Sequence, residues 1–264
     1  MASNGYQRIL ITEALTDIGR ELATHLVKKG HSVLITGKSR EELEDFHNKL
    51  IENKEVKLDI KNMPLQDDLK LRVKSLVIDM TNLHTMKAIR EMSFDTIIVI
   101  PPDEKTYKDV ETVADRDIDP IFKATVLGPY VLIRSLLDSS PRGQLKIVFL
   151  ASIPVKESDV LKLRDKIFGF DSFLSAKEVR FRKSPVPERL DYSELGLSII
   201  SAHLGGSESG YTNVKAITLN RLHYKNRVMA GEYATCLTEY AEMSFAAFPS
   251  NGDVFRPRNA TTYL

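Results

Sequence analysis

An α/β fold with a mostly parallel, seven-stranded sheet covered by helices on both faces is expected of this chain, on three observations. Short β-branched runs alternate with longer segments of helical period, as in a sheet whose strands are joined by crossover helices. The runs are almost continuously apolar and lack the polar alternation of a half-exposed strand, so both faces of the sheet should be buried. No repeat, low-complexity tract or long Gly/Ser/Pro linker interrupts the alternation, and residues 1–264 are expected to form a single domain.

Taken in order, the strands are expected at Arg8–Thr12, Ser32–Thr36, Ser75–Asp79, Asp95–Ile100, Lys146–Ala151, Leu197–Ala202 and Gly252–Phe255. Helices are expected at Asp17–Lys29, Arg40–Glu52, Leu83–Met92, Asp117–Leu137, Ser172–Arg182 and Gly231–Phe248, with another near Asn213–Tyr224. Gly30, Gly143 and Gly252 punctuate element ends. Two charged stretches, about 53–73 and 153–170, exceed what such a fold needs and read as insertions outside the sheet.

Composition narrows the function. A hydrophobic content of 42% over 264 residues suffices for one large core. The 37 Lys and Arg residues nearly cancel the 36 Asp and Glu residues, leaving no overall field to attract nucleic acid or an anionic membrane. Neither is expected as a partner. Cys236 is the only cysteine, so an internal disulfide framework is excluded and a reducing, cytoplasmic setting is expected. No apolar stretch reaches the roughly 18 residues of a membrane span. The six histidines show no metal-ligand spacing, and no metal site is expected.

The opening segment RILITEALTDIGRELATHLVKKGHSVLITGKS resembles the first strand, turn and helix of the short-chain dehydrogenases/reductases, which usually carry TGxxxGxG there. VIDMT resembles the acidic end of that family's third strand, FDTIIVIPP its fourth strand, IVFLAS its fifth and FLSAK its YxxxK region. The resemblance implies a Rossmann-like doubly wound sheet, NAD or NADP as cofactor, a Ser/Tyr/Lys site often completed by Asn, and association into homo-oligomers through long helices.

Against that pattern, Thr12 and Gly19 match, whereas Glu13 and Asp17 replace the first two glycines. Those glycines let the backbone approach the pyrophosphate, while the free N–H groups of the following helix bind the anion. A carboxylate there costs on the order of 1–4 kcal/mol at effective dielectrics of 80 to 20. Alternatively, Thr16 or Asp17 simply caps the helix with its own oxygen. Lys38 and Arg40 stand where the resemblance places the bases that hold the 2′-phosphate of NADP, although Ser39 and Glu42 also form an S-x-x-E capping box. Asp79 matches the acidic residue that meets adenine. Pro101 and Pro102 replace the small residues that follow the fourth strand, removing two N–H donors. No cofactor is therefore expected, and NADP if any.

At the implied catalytic site, Ser152 and Lys177 match the Ser and Lys, Phe173 occupies the Tyr position and Thr125 the Asn position. A phenyl ring has no proton to exchange, so hydride transfer would lack its general acid or base, typically worth 10²–10⁴-fold. The interval from Ser152 to Phe173 is longer than the family's; the usual interval would put Asp165 at the Tyr position. A literal YxxxK match at Tyr211 and Lys215 lies later in the chain, and His203 precedes Gly205 and Gly206 near the expected cleft. The reading that follows is a catalytically degenerate protein of this fold acting in binding, as a scaffold or as a partner subunit. Its alternative is an NADP-dependent oxidoreductase acting on a carbonyl or alcohol with a relocated proton donor.

Overall fold

A computed structural model describes residues 6–53, 56, 72–102, 123–139, 144–151, 200, 201, 204, 212–220, 227–249, 254 and 255. Within them run β1 (Arg8–Ile11), α1 (Asp17–Lys28), β2 (Ser32–Gly37), α2 (Arg40–Glu52), β3 (Val73–Val77), a 3₁₀ helix (Leu83–Ile89), β4 (Thr96–Val99), a π-helical turn (Lys123–Leu127), α3 (Gly128–Ser139), β5 (Leu145–Ala151), β6 (Val214–Asn220), α4 (Arg227–Glu242) and β7 (Val254–Phe255). The strands form one sheet in the order β3-β2-β1-β4-β5-β6-β7, and every neighbouring pair is parallel.

Alternate residues of the central strands feed two cores. Ile9, Ile11, Val33, Ile35, Ile98, Val148, Leu150, Ile217 and Leu219 face the layer of α1, α2 and α4. Leu10, Leu34, Ile97, Val99, Ile147, Phe149 and Ala216 face the opposite layer, which contains Leu132, Ile133 and Leu136 of α3. This burial on both faces explains why the strands read as continuous apolar runs. Helix α1 places Ile18, Leu22, Ala23, Leu26 and Val27 on its inner stripe, and α2 places Leu43, Phe46 and Leu50 on its own. Among the described residues no helix is long and apolar enough to cross a membrane.

Four expectations need correction. The run at Leu197–Ala202 is not the sixth strand: Ile200 and Ser201 are helical, as is Leu204. The sixth strand is Val214–Asn220, where a helix was expected near Asn213–Tyr224. A short apolar run reads equally as a buried helix or a buried strand. Here buried Ile200 and Leu204, four apart, share the spacing of one helix face, whereas Val214 and Ala216 face one core and Ile217 and Leu219 the other. The expected α-helix at Leu83–Met92 is a 3₁₀ helix, its first turn tightened by Asn82, which accepts from the His84 N–H at 3.2 Å, and by Thr85, whose hydroxyl donates to the Asn82 carbonyl at 2.8 Å. Finally, α4 ends at Glu242 rather than Phe248, because the Lys146 ammonium takes the carbonyls of Ala241 and Met243. Of the two expected insertions, residues 153–170 lie outside the described residues, as does the expected helix Ser172–Arg182.

Gly128 is dictated by packing. A Cβ there would stand 2.4 Å from the Met80 carbonyl oxygen and 2.9 Å from that of Lys123, so only glycine lets α3 begin against the end of β3. Gly231 in α4 has nothing within 4 Å of the same position. Substitution by alanine should therefore act in opposite directions at the two sites. Gly128→Ala is expected to lower stability by about 1–3 kcal/mol through overpacking. Gly231→Ala is expected to raise it by about 0.5–1 kcal/mol through helix propensity. Urea unfolding of both variants checks the pair, and equal effects would remove the packing argument.

Candidate functional site: the carboxyl edge of β1 to β4

Strand order reverses between β1 and β4, and in open parallel sheets the crevice beyond the strand ends at such a point is where ligands bind. The crevice begins with Thr12, which is fully buried. Its backbone N–H donates to the Ile98 carbonyl at 3.0 Å. Its hydroxyl donates to the Ile100 carbonyl at 3.0 Å and accepts from the Ile100 N–H at 2.9 Å. The side chain expected to serve a cofactor thus fastens β1 to the exit of β4. Buried Pro101 and partly buried Pro102 follow directly and contribute no N–H.

The turn after Thr12 keeps a glycine's geometry with a glutamate in it. Glu13 has φ of 45°, in the left-handed region that costs an L-residue roughly 1–2 kcal/mol. The conformation is held from behind: the Glu13 carbonyl accepts from the Thr16 N–H at 3.1 Å and from the Thr16 hydroxyl at 2.9 Å. Thr16 also caps α1 by accepting from the Gly19 N–H at 3.2 Å, which selects the capping alternative read from the sequence and assigns it to Thr16 rather than Asp17. Gly19 permits this closeness, since a Cβ would lie 2.7 Å from the Ala14 Cα and 2.8 Å from the Glu13 carbonyl oxygen.

Glu13, Lys38 and Asp79 form the charged part of the crevice. Lys38 pairs with Asp79 at 3.6 Å, joining the ends of β2 and β3. Asp79 also accepts from the Thr81 N–H at 2.9 Å and the Thr81 hydroxyl at 2.6 Å. Burial alone would push Asp79 up, but these bonds and the Lys38 charge outweigh it and hold its carboxyl below the ordinary carboxylate range. Glu13 goes the other way, to about 7: burial is the largest cause, the Asp79 charge adds to it, and Lys38 offsets part.

The other expected residues are dispersed. Asp17 is exposed and lines a cleft between α1 and α2 with Arg20, Glu21, Phe46 and Lys49. Arg40 pairs with Glu44 along the surface of α2 at 3.6 Å and lies beside the edge strand β3. Thr125 is buried in the π-helical turn just ahead of Gly128. Ser152, Asp165, Phe173, Lys177, His203 and Tyr211 lie outside the described residues. Among the described residues no group of three or more His, Cys, Asp or Glu side chains could hold a metal ion. The pairing of Lys38 with Asp79 went unread in the sequence, although adjacent strands that both end in a charged residue were a usable signal.

No protein-family model matches the chain, and no curated protein matches it by sequence. Solved structures match its fold over nearly the whole length. A metagenomic short-chain oxidoreductase in complex with NADP aligns over 97% of this chain and 99% of its own, at 16% identity and a TM-score of 0.60. L-sorbose reductase from Gluconobacter frateurii, complexed with NADPH and L-sorbose, aligns over 96% and 95%, at 13% identity and 0.63. A variant of actinorhodin polyketide ketoreductase with NADPH aligns over 100% of both chains, at 14% identity and 0.64. The fold is that of the short-chain dehydrogenases/reductases.

The Glu13 environment sets a pH dependence. The folded state holds the Glu13 proton up to about pH 7, whereas the ordinary carboxyl releases it near 4.5. The unfolded chain therefore binds fewer protons between those values, and this group's contribution to stability falls as pH rises from about 4.5 to 7, then stays level. Glu13→Gln is expected to gain on the order of 1–3 kcal/mol relative to wild type across that window, discounted for partial exposure. Urea unfolding at a series of pH values checks it; parallel curves for the two proteins would remove the assignment.

Proposed function

We propose that the protein is a catalytically degenerate form of the short-chain dehydrogenase/reductase fold, serving as a binding protein or partner subunit in which side chains occupy the dinucleotide crevice. The observation that supports this reading is Glu13, left-handed where the pattern has its first glycine and electrostatically coupled to Asp79 and Lys38. An incoming pyrophosphate would meet the Glu13 carboxyl, about half ionised near pH 7, beside the Asp79 carboxylate, a threonine hydroxyl committed to β4, and two prolines without N–H groups. Fold and activity separate readily, so the retained topology does not argue for a retained reaction. Homo-oligomerisation and a cytoplasmic location belong to the same proposal.

The second reading, an NADP-dependent oxidoreductase, is supported by Lys38, whose side chain is 72% exposed beside the end of β2, so that a 2′-phosphate could compete with Asp79 for it. Three of the solved structures of the same fold are complexes with NADP or NADPH. Its proton donor is sought among Asp165, His203 and Tyr211.

The two readings separate on cofactor. Calorimetric titration with NADP and NAD is expected to show no saturable binding at physiological concentration; micromolar binding of NADP would decide for the oxidoreductase. Glu13→Gly with Asp17→Gly is expected to raise dinucleotide affinity at least about tenfold if the carboxylates are the main obstacle. Because Asp17 is exposed and Glu13 partly buried, Glu13→Gly alone should supply most of the gain. No gain would move the obstacle to Pro101 and Pro102.

A further inference from the structure

The opposite, amino edge of the sheet carries a second polar cluster that neither reading uses. His31, only 6% exposed, sits between α1 and β2. Its Nδ1 accepts from the backbone N–H of Gln7 at 3.2 Å, so its one proton resides on Nε2, which donates to Glu242 Oε1 at 3.3 Å. Glu242, the last residue of α4, is shared with Lys29 at 3.6 Å. The Gln7 side-chain oxygen accepts from Lys146 Nζ and from the Thr96 hydroxyl, both at 2.9 Å. Lys146, at the start of β5, also donates to the carbonyls of Ala241 and Met243, the latter at 2.7 Å. One hydrogen-bonded chain thus joins the residues ahead of β1, the α1–β2 turn, β5 and the end of α4.

We propose that Gln7, His31, Lys146 and Glu242 form an acid-sensitive latch, and that a second proton on His31 releases the end of α4 and the residues ahead of β1 from the sheet. Protonated Nδ1 would point its hydrogen at the Gln7 N–H, turning an acceptor into a clash of two donors. The charged groups facing the ring are Lys29 from the end of α1, Lys146 from β5 and Glu242 from α4, while Asp95 ahead of β4 acts on Lys146. Glu242 favours the imidazolium, but it is divided between His31 and Lys29, and burial outweighs it: the His31 pKa lies below the ordinary histidine range. The sign follows. The latch is intact above about pH 6.5 and is lost as pH falls from there through the lower folded-state value. Release would uncover Phe248, whose ring lies 6.0 Å from Lys146 Nζ and whose carbonyl is held by Lys215 at 2.9 Å.

Hydrogen exchange of the full chain at about pH 7.5 and pH 5.5, corrected for the intrinsic pH dependence of exchange, tests the latch. Protection of residues 7–8 and 241–248 is expected to fall several-fold at the lower pH, to a one-proton limit of about tenfold, while the amides of Ile97 to Val99 keep theirs. His31→Gln, which retains an acceptor and a donor but cannot take up the proton, is expected to abolish the difference. Lys146→Met is expected to loosen residues 241–248 at both pH values. Unchanged exchange in the wild type, the same pH difference in His31→Gln, or equal loss across β4 would each overturn the proposal. An NMR titration of wild-type His31 gives an answer that needs no variant: a midpoint at or above about 6.5 overturns it, and a lower one supports it.

Discussion

The structure depends on how β1 is closed against β4. This is the point where the strand order reverses, and the Thr12 hydroxyl satisfies both the carbonyl and the N–H of Ile100 across it. Neither backbone group can find water in that position, and an unpaired one would cost about 1–3 kcal/mol. The same residue begins the turn into α1, so clamping it also sets where Glu13 reverses the chain and where Thr16 caps the helix. The N-terminus of α1 is thereby fixed over the crevice before any ligand is considered.

Two electrostatic environments then develop at the same edge. Asp79 is held ionised by Lys38 and Thr81, whereas Glu13, deeper and without an equivalent donor among its described hydrogen bonds, is pushed toward neutrality by burial and by Asp79 itself. A pair of carboxyls with opposite displacements often marks a site of chemistry. Here it has a structural origin as well. The left-handed backbone fixes the direction of the Glu13 side chain, and one exposed lysine serves two acids.

The parts of the fold legible in the sequence were those where burial on both faces left a continuous apolar run: β1, β2, β4 and β5 stand within a residue or two of their expected places. The sixth strand was misplaced because Leu197–Ala202 is also a short apolar run, and the sheet partners of Val214–Asn220 are what identify the strand. The end of α4 was missed for a different reason. Its terminator is not local: Lys146 reaches it from 95 residues away in sequence. In the crevice, the altered loop was legible from a glycine pattern, whereas Gly19 was read among the cofactor positions and its close packing on the Glu13 and Ala14 backbone was not. The Lys38–Asp79 pair and the commitment of the Thr12 hydroxyl to β4 were not, because both depend on which strand lies beside which.

The loop also shows why the fold can persist with the glycine pattern altered. Its positions carry separable duties: close packing of helix on turn, reversal of the chain, and room for an anion. Packing falls to Gly19, where any side chain would strike the Glu13 carbonyl and Ala14 backbone, and it is retained. Reversal falls to residue 13, where a glutamate supplies the left-handed turn at a cost of roughly 1–2 kcal/mol, small beside the burial that α1 contributes through Ile18, Leu22, Leu26 and Val27. Room for an anion contributes nothing to folding, and under the proposed function that is the duty given up. The geometry of this loop is thus accounted for by the stability of the β1–α1 junction: the Gly19 contact, the left-handed Glu13 and the Thr16 cap each serve the packing of α1 on the strand end.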